Sequence, residues 1–444
     1  MKRTSRILTA VTGLVLTAGM VTSCGAGGRP ADGAADADGE YAETGITEES
    51  VKIGGHFPLT GVAAPGYSEI PLGATAYFDH VNANGGVHGR QIDYLYRDDA
   101  YNPTNTSTVV NELVLQDEVF AMVGGVGTAT HGAVVDFLND QEVPDLFVSS
   151  GSLQWGDDPE ARPWTFGWQT DYEVEAKIAA QWIKENHPDA RVGMLVQDDD
   201  MGRDGEAGVR QLIDDQVVAV ERYTSGNTDI VPQLTNLKAA DADFVIGFTV
   251  PSYTALSQLA AQRLNYDPDW FYASIGGDTH LVGRLLSQFS EGAVEDGSTM
   301  LDGVYTADYI PSTDEPDNEW VQLWQDVWTE HGEGELTNYH IYGMSYAYAF
   351  VQALQAAGPE PTREGIVDVL EERGGEFGGP QLAPFRYSED SHLGISGVAI
   401  AEVRDGAAEP ITPTYVSDLG DAPIEELDTE QAAPPAGGIP EASE

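Results

Sequence analysis

Val51-Lys52-Ile53-Gly54-Gly55-His56-Phe57 is a short apolar run, and after a loop Ile70, Ala74, Tyr77, Phe78 and Val81 recur at helical spacing on one face. A run of this length and composition reads as a buried strand, and the 3.6-residue period as an amphipathic helix. Asn84-Gly85-Gly86 ends the helix, because glycine accepts the left-handed backbone a helix end requires. Residues 91–96 give a second strand, and 103–116 a helix with Pro103 at its start and Val109, Val110, Leu113 and Val114 facing inward. A third strand at 119–123, a helix at 130–139 and a fourth strand at 146–148 follow. Strand and helix in strict turn imply a parallel sheet with helices on both faces.

The pattern restarts after 164–168. A helix at 172–186 leads to a strand at 192–196, a helix at 203–214 and a strand at 217–223. A helix at 231–239, a strand at 244–248, a helix at 252–264, a strand at 270–273 and a helix at 280–289 complete a second unit of similar build. Beyond Gly303 come helices at 318–330, 339–357 and 362–372, then strands at 398–403 and 412–416. The expected fold class is α/β, with two doubly wound parallel-sheet lobes.

The ends read differently. Lys2, Arg3 and Arg6 precede an apolar run over 7–20, the order of a secretory signal peptide and too short to span a bilayer. Val21-Thr22-Ser23-Cys24-Gly25 resembles the bacterial lipobox, in which the cysteine is acylated before cleavage. The expectation is a signal peptide over 1–23, a lipidated Cys24 opening a Gly-, Ala- and Asp-rich flexible linker over 24–47, and an extracytoplasmic protein anchored to the outer face of the cell membrane. Cys24 is the one cysteine of the chain, so no intrachain disulfide forms. The tail 417–444 carries acids, prolines and no bases and is expected to be disordered. With 73 acidic against 21 basic side chains the formal charge is −52, which argues against nucleic acid as a partner. The acidity otherwise reads as a solvated surface that favours solubility.

Pro58-Leu59-Thr60-Gly61, then 82–92 (Asn-Ala-Asn-Gly-Gly-Val-His-Gly-Arg-Gln-Ile), then Arg97-Asp98-Asp99 with Asn102-Pro103, and then Val123-Gly124-Gly125 form an ordered series. It resembles the leucine/isoleucine/valine-binding proteins, the branched-chain amino-acid receptors of ABC importers with a type I periplasmic-binding fold. The likeness runs over 51–416. It implies three crossover segments between the lobes, near 168–171, 302–309 and 379–385. That assigns 48–169 and 304–381 to lobe one, and 170–302 and 384–416 to lobe two. It also implies a small polar solute, an amino acid or related carboxylate, held between the lobes and delivered to ABC permease subunits.

In the stretch 123–130, glycines and two hydroxyls lie between a strand and a helix start, where exposed amides favour an anion. Thr128 stands where the resemblance puts a hydroxyl on the ligand carboxylate. Ser150 and Ser152, in the turn after the fourth strand, are the next candidates, with Tyr67, Trp155 and Trp168 as aromatic walls. The second lobe departs from the family pattern: Met201 fills the position of an aromatic, and the acid expected after 270–273 is replaced by Ser274-Ile275-Gly276-Gly277-Asp278. Either Asp278 reaches a ligand ammonium or the ligand is not a simple amino acid, because a buried unpaired ammonium is costly. Val250 and Tyr253 are further wall candidates.

Other chemistries find little footing. Asp198, Asp200, Asp204 and Glu206 miss EF-hand spacing, and the nine histidines show no clustered ligand spacing. No metal or cofactor is expected. Ser152 belongs to no G-x-S-x-G elbow, so an exported serine hydrolase is a remote alternative and an enzyme is not expected. A sensor for an amide, urea or aromatic acid is the alternative among receptors.

Overall fold

A computed structural model describes residues 41–294, 299–428 and 431–441. The signal segment, Cys24 and most of the linker lie outside the described residues.

Strands β1 (Ser50–Phe57), β2 (Gln91–Asp98), β3 (Ala121–Val123), β4 (Asp145–Val148) and β5 (Thr165–Gly167) form a parallel sheet in the order β2-β1-β3-β4-β5. The second sheet repeats that order with β6 (Val192–Gln197), β7 (Val217–Tyr223), β8 (Phe244–Phe248), β9 (Asp269–Tyr272) and β10 (Tyr305–Asp308), running β7-β6-β8-β9-β10. Antiparallel strands β11 (Gly397–Arg404), β12 (Ala407–Pro410), β13 (Tyr415–Val416) and β14 (Glu425–Glu426) extend it beyond β10. The chain therefore adopts the expected α/β fold with two doubly wound lobes. In each sheet the order reverses beside the first strand of the unit, and such switch points open a crevice at the carboxyl ends of the strands.

The helix Ile70–Ala83 buries Ile70, Ala74, Tyr77, Phe78 and Val81, the residues its period put on one face. Tyr77 meets Trp324 edge-on at 5.5 Å and Phe78 meets Phe350 at 6.0 Å. The helices Glu319–His331 and Asn338–Ala356 thus return to the first lobe and cover it. Helix Tyr172–Asn186 is capped by Asp171, whose side chain accepts from Val174 N.

Four sequence expectations need correction. Residues 130–139 form two short helices, Thr128–Gly132 and Val135–Asp140, separated at Val134, whose φ/ψ of −128/−15° is not helical. Strand β10, expected in lobe one, hydrogen-bonds to β9 and β11 in the second sheet, so the chain leaves that sheet after Asp308. The end of the linker is docked: Lys52 N donates to Gly45 O at 2.8 Å and Ile46 bridges Val51. The acidic tail is also ordered wherever it is described. Lys177 Nζ donates to the carbonyls of Asp418, Gly420 and Ala422 at 3.0, 2.7 and 2.6 Å. Further on, Trp320 Nε1 donates to Ala432 O and Tyr77 Oη to Gly438 O, at 2.7 and 2.9 Å. Backbone carbonyls and a few apolar residues (Ile424, Leu427, Ile439) do this anchoring, and a charge count does not register them.

Candidate ligand-binding site

The loops after β1, β3 and β4 face those after β6, β8 and β9, and the lobes meet across the crevice. Tyr67 Oη donates to Ile275 O at 3.2 Å, Ser252 Oγ to Val62 O at 2.7 Å, Leu153 N to Asp204 Oδ2 at 3.1 Å and Asn338 Nδ2 to Asp278 Oδ2 at 2.7 Å. Gln154 Nε2 also donates to Asp200 Oδ2. Bonds of this kind exist only while the lobes are together, so this is a closed conformation. Gly66 permits the approach: at φ +80° it sits where a Cβ would lie 2.6 Å from both Leu281 and Tyr339.

The cavity between the lobes is lined by both of them and by the first two crossover segments. Tyr67, Tyr101, Tyr172, Tyr309, Tyr339 and Tyr342 supply its apolar faces and hydroxyls. Gly127 brings the turn after β3 to the wall at φ +103°, with no room for a side chain: a Cβ would lie 2.4 Å from Thr130 Oγ1 and 2.6 Å from the Tyr101 ring. Gln169, 3% exposed, accepts at Oε1 from Tyr342 Oη (3.3 Å), while its Nε2 is buried without a partner. A buried amide donor without an acceptor costs free energy, and a solute acceptor in the cavity removes that cost.

The charge of the wall is one-sided. Asp278, Asp308 and Asp314 line the cavity, and among the described residues no Lys, Arg or His does. Asp278 has both oxygens engaged, Oδ1 by Leu281 N and Oδ2 by Asn338 Nδ2. Asp314 accepts from His280 Nε2 at 2.7 Å and Ala408 N at 3.3 Å. Behind the wall, Glu175 accepts from Ser274 N and Oγ at 2.7 and 2.9 Å. Burial pushes its carboxyl up to about 7, and burial together with neighbouring acids pushes Asp308 up to about 8.

Of the residues expected from the sequence, Tyr67, Met201, Val250 and Asp278 line the cavity. Thr128, Ser150, Ser152 and Trp155 do not. Thr128 Oγ1 and Ser150 Oγ are hydrogen-bonded to each other at 2.8 Å, and their neighbours Gly127 and Ser149 are the residues at the wall. Ser152 Oγ caps the short turn Leu153–Trp155. Among the described residues no histidine bonds to Ser150 or Ser152, as a hydrolytic nucleophile would need. Trp155 is core, edge-on to His131 at 4.9 Å, and Trp168 packs between Phe147 and Phe385. Tyr253 is stacked on Tyr223 with centroids 4.1 Å apart. The expected anion site at the Thr128 helix is weakened too, since that helix has only 5 residues and a short helix adds little dipole. Asp308 and Gln169 were missed, although both lie in segments that the resemblance marked as crossovers.

Beneath the turn after β3 runs a buried chain. His56 Nδ1 is bonded to Asp99 Oδ2 at 2.9 Å, His56 Nε2 to His131 Nδ1 at 2.9 Å, and His131 Nε2 to Asp145 Oδ2 at 2.8 Å. It fixes the floor from which Val126 and Gly127 reach the cavity.

Residues 50–408 match the family model described as "Periplasmic binding protein". The chain belongs to the periplasmic binding protein family. Among curated members of this family, a Leu/Ile/Val-binding protein homolog of Brucella abortus is 24% identical over 365 residues, covering 77% of this chain and 90% of that one. The leucine-, isoleucine-, valine-, threonine- and alanine-binding protein of Pseudomonas aeruginosa is 25% identical over 212 residues. That match covers 46% of this chain and only about half, 55%, of the Pseudomonas protein. In fold, the chain is similar to a branched-chain amino acid ABC transporter protein of Thermus thermophilus with bound valine, at a TM-score of 0.72 and 20% identity, covering 84% and 98% of the two chains. It is similar as well to a fatty acid ABC transporter substrate-binding protein of Thermomonospora curvata, at a TM-score of 0.71 and 19% identity, covering 86% and 96%. Two such different solutes on one architecture mean that the periplasmic binding protein fold leaves the ligand to the residues of the wall.

Proposed function

We propose that the chain is an extracytoplasmic receptor, tethered through lipid on Cys24, that encloses a small polar solute between its lobes and delivers it to an ABC importer. The solute is an amino acid or a related carboxylate-bearing compound. The observation that carries this reading is the unpartnered Gln169 Nε2 in a closed, tyrosine-lined cavity to which both lobes contribute. Ser149 and the hydroxyls of Tyr309 and Tyr339 offer further neutral donors on the same wall, suited to a carboxylate or carbonyl oxygen. Closure follows because only the shut state makes both sets of contacts. The names of the relatives support an amino acid. No helix among the described residues is long and apolar enough to cross a membrane. Lipid on Cys24 would hold the receptor near its permease and raise the effective concentration.

A thermal-shift screen of the full chain against amino acids, amides, urea and aromatic and fatty acids tests this. A ligand at 100 times its Kd adds about 2.7 kcal/mol. An amino acid that raises the midpoint is the expected result, and a response to fatty acids alone would sink the reading. Replacing Cys24 with Ala is expected to release the protein into the medium with ligand affinity intact.

A further inference from the structure

Asp308 ends β10 at the cavity wall, and among the described residues no side chain or backbone donor bonds its carboxylate. Every other acid of the wall has donors: Asp278 has Leu281 N and Asn338 Nδ2, and Asp314 has His280 and Ala408 N. Asp308 is partly exposed to the cavity; an acidic side chain that faces tyrosines and no cation lacks a counter-charge once a solute displaces water from it, and a cation on the solute is the arrangement that compensates that desolvation. The buried Gln169 Nε2, a donor without an acceptor on the same cavity, is independent of these acids and asks for an oxygen on the solute.

We propose that Asp308 is the counter-ion for a cationic nitrogen on the solute and sets the charge selectivity of the cleft, admitting ammonium-bearing solutes and refusing net anions. The proposal rests on the receptor reading above and narrows its solute class. It also moves the amine-binding carboxylate from the turn after β9, where the family resemblance placed it and where Ser274 now stands, to the end of the adjacent strand. The six cavity tyrosines complement the assignment, since ring faces attract cations. The acids that act on Asp308 are Glu315 and Asp314 from the segment after β10, Glu175 from helix Tyr172–Asn186 and Asp278 at the start of helix Thr279–Phe289. All of them favour a proton on an empty Asp308 and its displacement by a bound cation.

The test uses the full chain, a panel and two variants. The panel pairs leucine with 4-methylpentanoate, which lacks the ammonium, and with isopentylamine, which lacks the carboxylate; the other amino acids, choline, neutral amides and fatty acids complete it. The expected result is that the binders carry a cationic nitrogen, and that Asp308→Asn weakens them about 30-fold or more. Asp308→Glu, which restores the charge, should recover part of that affinity. Asp308→Asn should keep the wild-type thermal midpoint or exceed it without ligand, so lost binding is not lost folding. Should that variant not fold, calorimetry of the wild type in two buffers of different ionisation enthalpy reads the proton released on binding near pH 7, and no release overturns the proposal. Binding of 4-methylpentanoate or an amide with Asp308→Asn within twofold of wild type also overturns it and leaves the receptor standing. A panel in which nothing binds overturns the receptor reading, and this proposal with it.

Discussion

Asn338 Nδ2 donates to Asp278 Oδ2 at 2.7 Å and so ties the first turn of helix Asn338–Ala356, on lobe one, to the cap of helix Thr279–Phe289 on lobe two. Asp278 keeps its bond to Leu281 N whether the cleft is open or shut, whereas the bond to Asn338 requires closure. Asn338→Ala is therefore expected to shift the population toward the open form, lowering solute affinity about 10-fold for a lost bond to a charged group. Small-angle scattering would show a larger radius of gyration. An unchanged scattering profile and affinity would contradict a closing role for this bond.

Gln169 is expected to separate stability from function. Replacing it with Leu removes a buried donor that has no partner in the empty protein, but also the acceptor of Tyr342 Oη, so the two changes offset each other and the ligand-free thermal midpoint should move little. The same change should weaken solute binding about 10-fold, because it deletes the donor the solute would satisfy. A lowered midpoint with unchanged affinity would mark Gln169 as a purely structural residue.

The Asp99–His56–His131–Asp145 chain makes a strong stability prediction. Three hydrogen bonds join two imidazoles and two carboxylates, and all four side chains are at most 1% exposed. His131→Ala leaves Asp145 and His56 without their shared partner and opens a void under Trp155. A loss of about 3–5 kcal/mol in denaturant titration is expected.

The pH dependence of the empty protein follows from groups with opposite signs. Burial pushes Asp308 up to about 8 and Glu175 and Asp204 up to about 7. Each of these lies above its unfolded value, so each lowers stability as pH rises toward 7–8. Burial pushes His340 and His392 down to about 4 and lowers His56 as well, and these lower stability as pH falls below about 6.5. Between about pH 4 and 6.5 the two sets oppose each other; above 6.5 the raised carboxyls are joined by His280, raised by its bond to Asp314, which likewise loses stability as pH climbs. The midpoint of the ligand-free protein should therefore fall between pH 6.5 and 8, by the equivalent of on the order of 1–3 kcal/mol, and less steeply in Asp308→Asn. A flat profile over that window would argue against a proton-holding Asp308.

The fold was legible wherever period and punctuation agreed. Strand β1, helix Tyr172–Asn186 and strand β8 lie where their residues predict, because fully buried strands and one-faced helices write their burial into hydrophobic spacing. The site was legible only in part. Tyr67, Met201 and Val250 sit in the turns and first helical turns that follow strands, which any open α/β sheet turns toward its crevice. Thr128 and Ser150 belong to the right turns but point away, since one residue decides which way a side chain faces. Asp308 ends β10 and Gln169 lies in the crossover after β5, and contacts between distant segments, not local pattern, bring them to the cavity.

The C-terminal segment sets a mechanical limit on the hinge. Its anchors at Asp418, Gly420, Ala422 and β14 hold lobe two, while Gln431, Ala432 and Gly438 hold lobe one through Asn318, Trp320 and Tyr77. Four residue steps join Leu427, whose N donates to Thr414 O, to Gln431, and fully extended chain covers at most about 14 Å in four steps. Any swing of the lobes that parts those two points further must peel one anchor away. The stroke of the receptor is thus metered by its own last residues, and shortening or lengthening that short link would retune how wide the mouth opens for each solute.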